Sequence, residues 1–193
     1  MERRKSKEIK IGSVKIGADH PIAVQSMTFT KTANADATVK QILSLERAGC
    51  DIVRFSVPDE ESAKSISYIK EHTHIPLVAD IHFNYKLALA ALERGIDKIR
   101  INPGNIGSSE RIKAVADACR MRGVPIRIGV NGGSLEKHIL AKYGSPTPEA
   151  LCESALYHVR LLEQFDFTDI VVSIKSSDVA DTVRANRLFA EKT

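Results

Sequence analysis

The sequence predicts an α/β fold, a parallel (β/α) barrel of the TIM type, and three observations predict it. Six short apolar segments alternate with amphipathic helical stretches at a spacing of about 25 to 30 residues, which is typical of βαβ units. Glycines that suit helix C-caps stand at Gly49, Gly95 and Gly123, just before the next strand. Several strands alternate apolar and polar residues, and this favours a barrel interior over an open sheet that is buried on both faces.

The first element is a β-hairpin over residues 9–16, because apolar residues alternate around Gly12 and Ser13. A unit of this size fits as a plug or lid at one end of the fold. Strands are then predicted near 22–27, 51–55, 76–81, 97–101, 126–130 and 169–174, with helices near 36–48, 60–71, 84–94, 108–121, 147–164 and 178–191. No linker or repeat interrupts this order, so residues 1–193 are predicted to form a single domain.

The number of units predicts an incomplete barrel. A complete barrel of this type has eight strands and eight helices, and about six units are present here. The first and sixth strands would then have unpaired edges, which are a liability in an isolated chain. We therefore expect the chain to be part of a longer protein.

Composition limits the classes of partner. The net charge of +4 comes from scattered Lys and Arg, while Trp is absent and aromatic residues make up 5% of the chain. This pattern favours a small anion over nucleic acid, which usually meets basic blocks with exposed aromatics. No apolar run approaches the length of a membrane span. The charged first residues precede no apolar core, so no secretory signal is predicted and we expect a cytoplasmic protein.

The three cysteines are predicted to be reduced packing residues. Cys50, Cys119 and Cys152 are widely spaced, with no Cys-x-x-Cys and no nearby His at metal spacing. A metal site within this chain is therefore not predicted.

Period-two alternation assigns a set of polar residues to the inner face of the barrel, near the C-terminal ends of the strands. These are Arg54 and Ser56, Asp80 and His82, Arg100 and Asn102, Arg127 and Asn131, and Ser173 and Lys175. Four of them are cations, and the obvious opposing carboxylate is Asp80. Three Arg and one Lys match the oxygens of two phosphates better than of one, and the Gly-rich segments 102–107 and 129–134, the latter ending at Ser134, add backbone N–H groups.

A structural interpretation of these residues stays open beside the functional one. Each Arg could pair with Asp80 or cap a carbonyl without touching a ligand. His82 suits proton transfer as well as a supporting hydrogen bond. The other histidines, His20, His72, His74, His138 and His158, are expected to be solvated. No Ser-His-Asp order, Walker loop or His-Glu-x-x-His is visible, so the sequence shows binding chemistry and no catalytic residue.

Six motifs in order give the chain a family resemblance. They are residues 24–28 (VQSMT), 51–58 (DIVRFSVP), 79–83 (ADIHF), 99–105 (IRINPGN), 126–135 (IRIGVNGGSL) and 173–177 (SIKSS). Together they resemble the 4-hydroxy-3-methylbut-2-enyl diphosphate synthase family over essentially the whole chain. The resemblance implies an N-terminal barrel joined to a C-terminal domain that holds a 4Fe–4S cluster, in a homodimer. It implies reductive opening of 2-C-methyl-D-erythritol 2,4-cyclodiphosphate in isoprenoid biosynthesis, with flavodoxin or ferredoxin as electron donor.

The resemblance also assigns residues. It places Arg54, Arg100, Arg127 and Lys175 on the cyclic diphosphate, and Asp80, Asn102 and Asn131 in the same pocket. The family's late-barrel Glu and its cluster ligands have no counterpart up to Thr193, so the fragment alone is expected to bind substrate without turning it over.

Two rival interpretations remain. A cofactor-free barrel enzyme with a phosphorylated substrate, such as an aldolase or a pterin-type synthase, would also place cations at the strand ends, with Lys175 as the only Schiff-base candidate. A non-enzymatic fragment would only bind, scaffold or swap strands with a partner.

Overall fold

The computed structural model describes residues 4–193 and contains a six-stranded parallel sheet, curled into a half-barrel and covered by helices. The strands of this sheet are β3 (Gln25–Met27), β4 (Ile52–Ser56), β5 (Leu77–Asp80), β6 (Lys98–Ile101), β7 (Ile126–Asn131) and β8 (Ile170–Lys175), each paired with the next along the chain. A separate antiparallel hairpin is formed by β1 (Ile9–Ile11) and β2 (Val14–Ile16). The predicted incomplete parallel barrel with an N-terminal hairpin is confirmed. The part of the predicted single domain that covers Met1–Arg3 lies outside the described residues.

The helices follow the strands in the predicted alternation. They are α1 (Ala35–Arg47), α2 (Glu60–Glu71), α3 (Tyr85–Glu93), α4 (Pro103–Ile106), α5 (Ser109–Arg122), α6 (Lys137–Tyr143), α7 (Pro148–Glu163) and α8 (Val179–Glu191). Side-chain caps start five of them: Asp59, for example, accepts a hydrogen bond from the Ser62 amide at 2.7 Å. Among residues 4–193, no helix is long and apolar enough to cross a membrane.

The main apolar core lies between the outer face of the sheet and the helices. Val53 and Phe55 of β4 and Ile99 of β6 are fully buried there, against Ile66 of α2 and Val115 of α5. The alternate residues of the same strands therefore point to the inner face, as period-two alternation requires. This arrangement leaves the inner face free for polar side chains.

The hairpin closes the bottom of the half-barrel. Ile9 and Ile11 pack against Ile52 and Val78, which are inner-face residues at the N-terminal ends of β4 and β5. Gly12 adopts φ +55° in the hairpin turn, a left-handed conformation that glycine adopts without strain. The hairpin is thus a plug at the end opposite the predicted site, and the opening lies at the C-terminal ends of the strands.

Two short helices were not predicted from the sequence. The helices α4 and α6 lie within segments that the sequence analysis left between a strand and the next helix. The four-residue α4 begins at Pro103 and includes Gly104, and a helix this short gives no amphipathic repeat. Both helices follow strand ends that carry predicted site residues.

The two outer strands have free edges within the described part of the chain, since β3 pairs only with β4 and β8 only with β7. Large apolar side chains beside β3 are exposed, with Ile22 at 83% and Phe29 at 90%. We expect the isolated chain to self-associate as concentration rises, because such edges pair with other chains. Light scattering coupled to size exclusion should show a smaller mean mass for Ile22→Lys than for the parent chain.

The matched control for this prediction is Met121→Lys, because Met121 is also exposed, at 77%, but lies on α5 away from the edge. Equal reductions of the mean mass in both variants would show that added charge, and not the edge, governs association.

Candidate anion-binding site

Asp80 stands at the centre of the polar inner face, between two arginines. Arg100 donates from Nη1 to Oδ1 of Asp80 at 2.9 Å, and Nε of Arg54 lies 3.6 Å from Oδ2. The Asp80 side chain is buried, while those of Arg54 and Arg100 keep 25% and 20% of their surface exposed. Arg54 also donates from Nη2 to Sδ of Met27 at 3.1 Å. The carboxylate therefore orients both guanidinium groups and leaves further N–H groups of each for a ligand.

Arg127 adds a third guanidinium to this group. It stands directly opposite Arg100 in the β6–β7 register, and its Nε donates to Ser173 Oγ at 3.3 Å. Burial lowers the pKa of Arg127, and the neighbouring Arg54 and Arg100 lower it further, while Asp80 acts in the opposite direction. Three guanidinium groups thus face one carboxylate, and the inner face keeps a positive excess that favours an anion.

Gly129 makes room for the Arg100 side chain. A Cβ atom at this position would lie 2.6 Å from both Nε and Nη2 of Arg100. The Gly129 amide donates to Oδ1 of buried Asn102 at 3.1 Å, which holds the ends of β6 and β7 together. The absence of a side chain here is therefore a condition for the position of Arg100.

Gly129→Ala should displace Arg100 and weaken binding of pyrophosphate about tenfold or more, since overpacking forces side chains out of their rotamers. Isothermal titration of the variant would measure the loss. Gly133→Ala is the matched control, because its Cβ would meet no atom closer than 4.0 Å. An equal loss in the two variants would contradict this role of Gly129.

A cavity of about 250 Å³ opens at the C-terminal ends of β5, β6 and β7. Its lining consists of Ile81, His82, Phe83, Arg100, Asn102, Asn105, Asn131 and Ser134. Five predicted site residues therefore share one cavity, which is large enough for a small anion. Asn131 also accepts a hydrogen bond from the Gly133 amide at 3.2 Å, and Ser134 donates to the Asn131 carbonyl at 3.3 Å.

The remaining predicted site residues lie around this cavity rather than in its wall. Arg54, Arg127 and Ser173 are half-buried on the inner face. Lys175 is exposed at the end of β8, in register with Asn131, and lies two residues beyond Ser173. The structure thus brings the three arginines together around Asp80 and places Lys175 nearer the mouth.

Lys98 is an inner-face cation that the sequence analysis did not select. It is 2% exposed, and its Nζ donates to Oε1 of Gln25 on β3 at 3.2 Å, across the interior of the half-barrel. Burial lowers the pKa of Lys98 to about 7, with contributions from Arg127 and Arg54. The alternation Lys98-Ile99-Arg100 is the sequence signal for this residue, because it places Lys98 on the same face of β6 as Arg100.

The expectation of a solvated His158 was wrong. The ring is 1% exposed, because α7 packs against the end of β7 and against α4. Its Nε2 lies 2.5 Å from Oε1 of Glu136, and its Nδ1 accepts a hydrogen bond from the Gly104 amide at 3.2 Å. Burial alone would raise the pKa of Glu136, but hydrogen bonds, chiefly that of His158, outweigh it and hold the pKa at about 2.

The residues that the structure describes do not fit an iron–sulfur cluster. Cys50, Cys119 and Cys152 are buried on separate elements, and burial raises the pKa of the Cys119 thiol to about 12, whereas a cluster is bound by thiolates. Within residues 4–193, no three His, Cys, Asp or Glu side chains form a group that could hold a metal ion.

Comparisons with solved structures agree with the barrel architecture. A dihydropteroate synthase from Yersinia pestis superposes with a TM-score of 0.67 at 9% identity, over 96% of this chain and 71% of the other. A truncated 3-deoxy-D-arabino-heptulosonate 7-phosphate synthase from Thermotoga maritima gives 0.69 at 12% identity, over 97% and 66%. At such identities the likeness concerns the fold alone.

Sequence comparison is more specific. Proteins named 4-hydroxy-3-methylbut-2-en-1-yl diphosphate synthase (flavodoxin) are 63% identical over 187 residues in Nitratiruptor and 60% over 190 residues in Caldanaerobacter subterraneus. These matches cover 97% and 98% of this chain but 53% and 54% of the relatives, so the chain spans about half the length of the curated relatives it matches. The model of the GcpE TIM-barrel domain matches residues 6–193. The chain therefore belongs to the GcpE TIM-barrel domain family.

Proposed function

We propose that this chain is the substrate-binding barrel of an oxidoreductase that opens 2-C-methyl-D-erythritol 2,4-cyclodiphosphate reductively to 4-hydroxy-3-methylbut-2-enyl diphosphate. The observation that carries the proposal is the group of Arg54, Arg100 and Arg127 around Asp80, inside a barrel whose close relatives bear the name of that synthase. Barrels of this fold bind phosphorylated ligands at the C-terminal ends of their strands, where these cations lie.

Each part of the site has a role in this proposal. The planar forks of the three arginines bind phosphate oxygens with paired N–H donors, and Lys175 adds a mobile charge at the mouth. Asn102, Asn131, Ser134 and Ser173 supply neutral hydrogen bonds, and His82 lies at the cavity wall, where it can donate to the ligand or exchange a proton with it. Asp80 keeps Arg54 and Arg100 in place.

The reduction itself requires groups outside the described residues. The cysteines here do not fit a 4Fe–4S cluster, so in our proposal the cluster belongs to another part of the protein, with flavodoxin or ferredoxin as donor. We also propose that the whole enzyme is a homodimer in the cytoplasm. The barrel alone binds the cyclic diphosphate and does not turn it over.

Calorimetric titration of the chain tests the proposal. The cyclic diphosphate should bind, and 2-C-methyl-D-erythritol, which lacks phosphate, should give no measurable heat of binding. Equal affinity for the two compounds, or no binding of the cyclic diphosphate, would refute the phosphate site.

The cofactor-free rival has one observation in its favour. The lowered pKa of Lys98 suits an amine that forms a Schiff base, whereas Lys175, the candidate from the sequence, is exposed. Borohydride trapping with a panel of phosphorylated aldehydes and ketones, followed by peptide mapping, separates the two functions. A stable adduct at Lys98 or Lys175 would support the rival, and our proposal predicts none.

A further inference from the structure

Two segments form part of the wall of the anion cavity, and one buried histidine touches both. The first loop, residues 102–107 after β6, supplies Asn102 and Asn105, and the second loop, residues 131–136 at and after the end of β7, supplies Asn131 and Ser134. His158 on α7 lies behind this wall and contacts the first loop at Gly104 and the second at Glu136.

We propose that His158 is a positioning residue that holds these two loops at the spacing the bound anion needs. This inference rests on the anion-binding function proposed above. It assigns a role to a residue that touches no ligand itself.

The contacts fix the tautomer of the ring. A backbone N–H only donates, so the Gly104 amide at 3.2 Å requires a lone pair on Nδ1. The single proton of the neutral ring is then on Nε2, where it is donated to Oε1 of Glu136 at 2.5 Å. One imidazole thus joins a donor of the first loop to an acceptor of the second.

Loss of His158 would leave the Glu136 carboxylate with only the hydrogen bonds of the Ser154 side chain and of its own backbone N–H, while Oε2 is buried without a hydrogen-bond partner. The first loop approaches the ring so closely that a Cβ on Gly104 would lie 2.9 Å from Cε1 of His158. The spacing of the loops is therefore set by the ring.

Three variants test the role by titration with pyrophosphate. His158→Gln keeps an acceptor and a donor, and should bind within about threefold of the parent. His158→Leu has neither group and should bind about tenfold or more weakly. Leu151→Ala, a core truncation of the same helix, controls for general loosening of α7.

The outcomes separate the failures. If the parent does not bind pyrophosphate, the proposed function fails. If the parent binds and His158→Leu binds equally well, or if His158→Gln loses as much affinity as His158→Leu, the positioning role is wrong. Nitrogen-15 NMR of the parent adds a test that survives misfolding of any variant: we expect no proton on Nδ1 of His158, and a proton on Nδ1 would overturn the inference.

Discussion

Replacement of Arg127 by alanine should lower the affinity for the cyclic diphosphate by about 30-fold to 1,000-fold. Truncation of a desolvated, hydrogen-bonded charge costs on the order of 2–4 kcal/mol, and Arg127 is half-buried beside two other guanidinium groups. Its partner Ser173 is neutral, so no buried carboxylate loses its counterion and the fold should survive. Calorimetry of folded variants is the measurement.

Two comparisons sharpen this result. Arg127→Lys keeps the charge and loses the planar fork, so it should recover part of the affinity and not all of it. Arg122→Ala removes an exposed arginine at the C-terminal end of α5, at the opposite end of the barrel, and should bind like the parent chain. Equal affinity of Arg127→Ala and Arg122→Ala would show that Arg127 does not contact the ligand.

Replacement of Lys98 by methionine should stabilise the fold at neutral and acidic pH, on the order of 5 kcal/mol. The unfolded chain keeps the Lys98 proton up to its ordinary pKa of 10.5, whereas burial lowers the pKa in the folded chain to about 7. The unfolded state therefore binds more protons between these two values, and the contribution of Lys98 to stability rises with pH through this window. Below pH 7 the full destabilising effect of the buried charge is present.

Urea unfolding of the parent chain and of Lys98→Met at several pH values measures this effect. The difference in the free energy of unfolding should be constant below about pH 7 and should shrink steadily toward pH 10.5. Lys64→Met, at an exposed position of α2, serves as the control and should change neither the stability nor its pH dependence. A difference for Lys98→Met that does not vary with pH would show that the amine is not desolvated.

Much of the fold was predictable because each strand and helix carries its own pattern. Glycine caps and period-two strands located all six parallel strands, although β3 is shorter than the predicted 22–27. The same alternation assigned Arg54, Asp80 and Arg100 to one face. It could not reveal that Lys175 lies opposite Asn131 while Arg127 lies opposite Val171, since register depends on pairing between strands.

The role of His158 was beyond the sequence for a related reason. The helical pattern of α7 shows which face packs on the sheet, but not that the segments after β6 and β7 contact this helix at His158. The burial of Lys98 does not follow from strand alternation either. Lys98 lies opposite Val78, against which the hairpin plug packs, and this contact covers the inner face below the strand ends. The burial and the hydrogen bonds of His158 and Lys98 thus depend on contacts between segments that are distant in the sequence.

Asp80 determines how much positive charge this site offers to a ligand. Before a ligand arrives, its carboxylate already occupies one N–H of Arg100 and lies within reach of Arg54. An incoming anion therefore meets guanidinium groups whose charge one carboxylate already partly neutralises, and it takes the N–H groups that Asp80 leaves open. The affinity of the site then reflects the positive charge that remains beside Asp80, rather than the full attraction of three arginines, and the arginines keep this partner when the anion leaves.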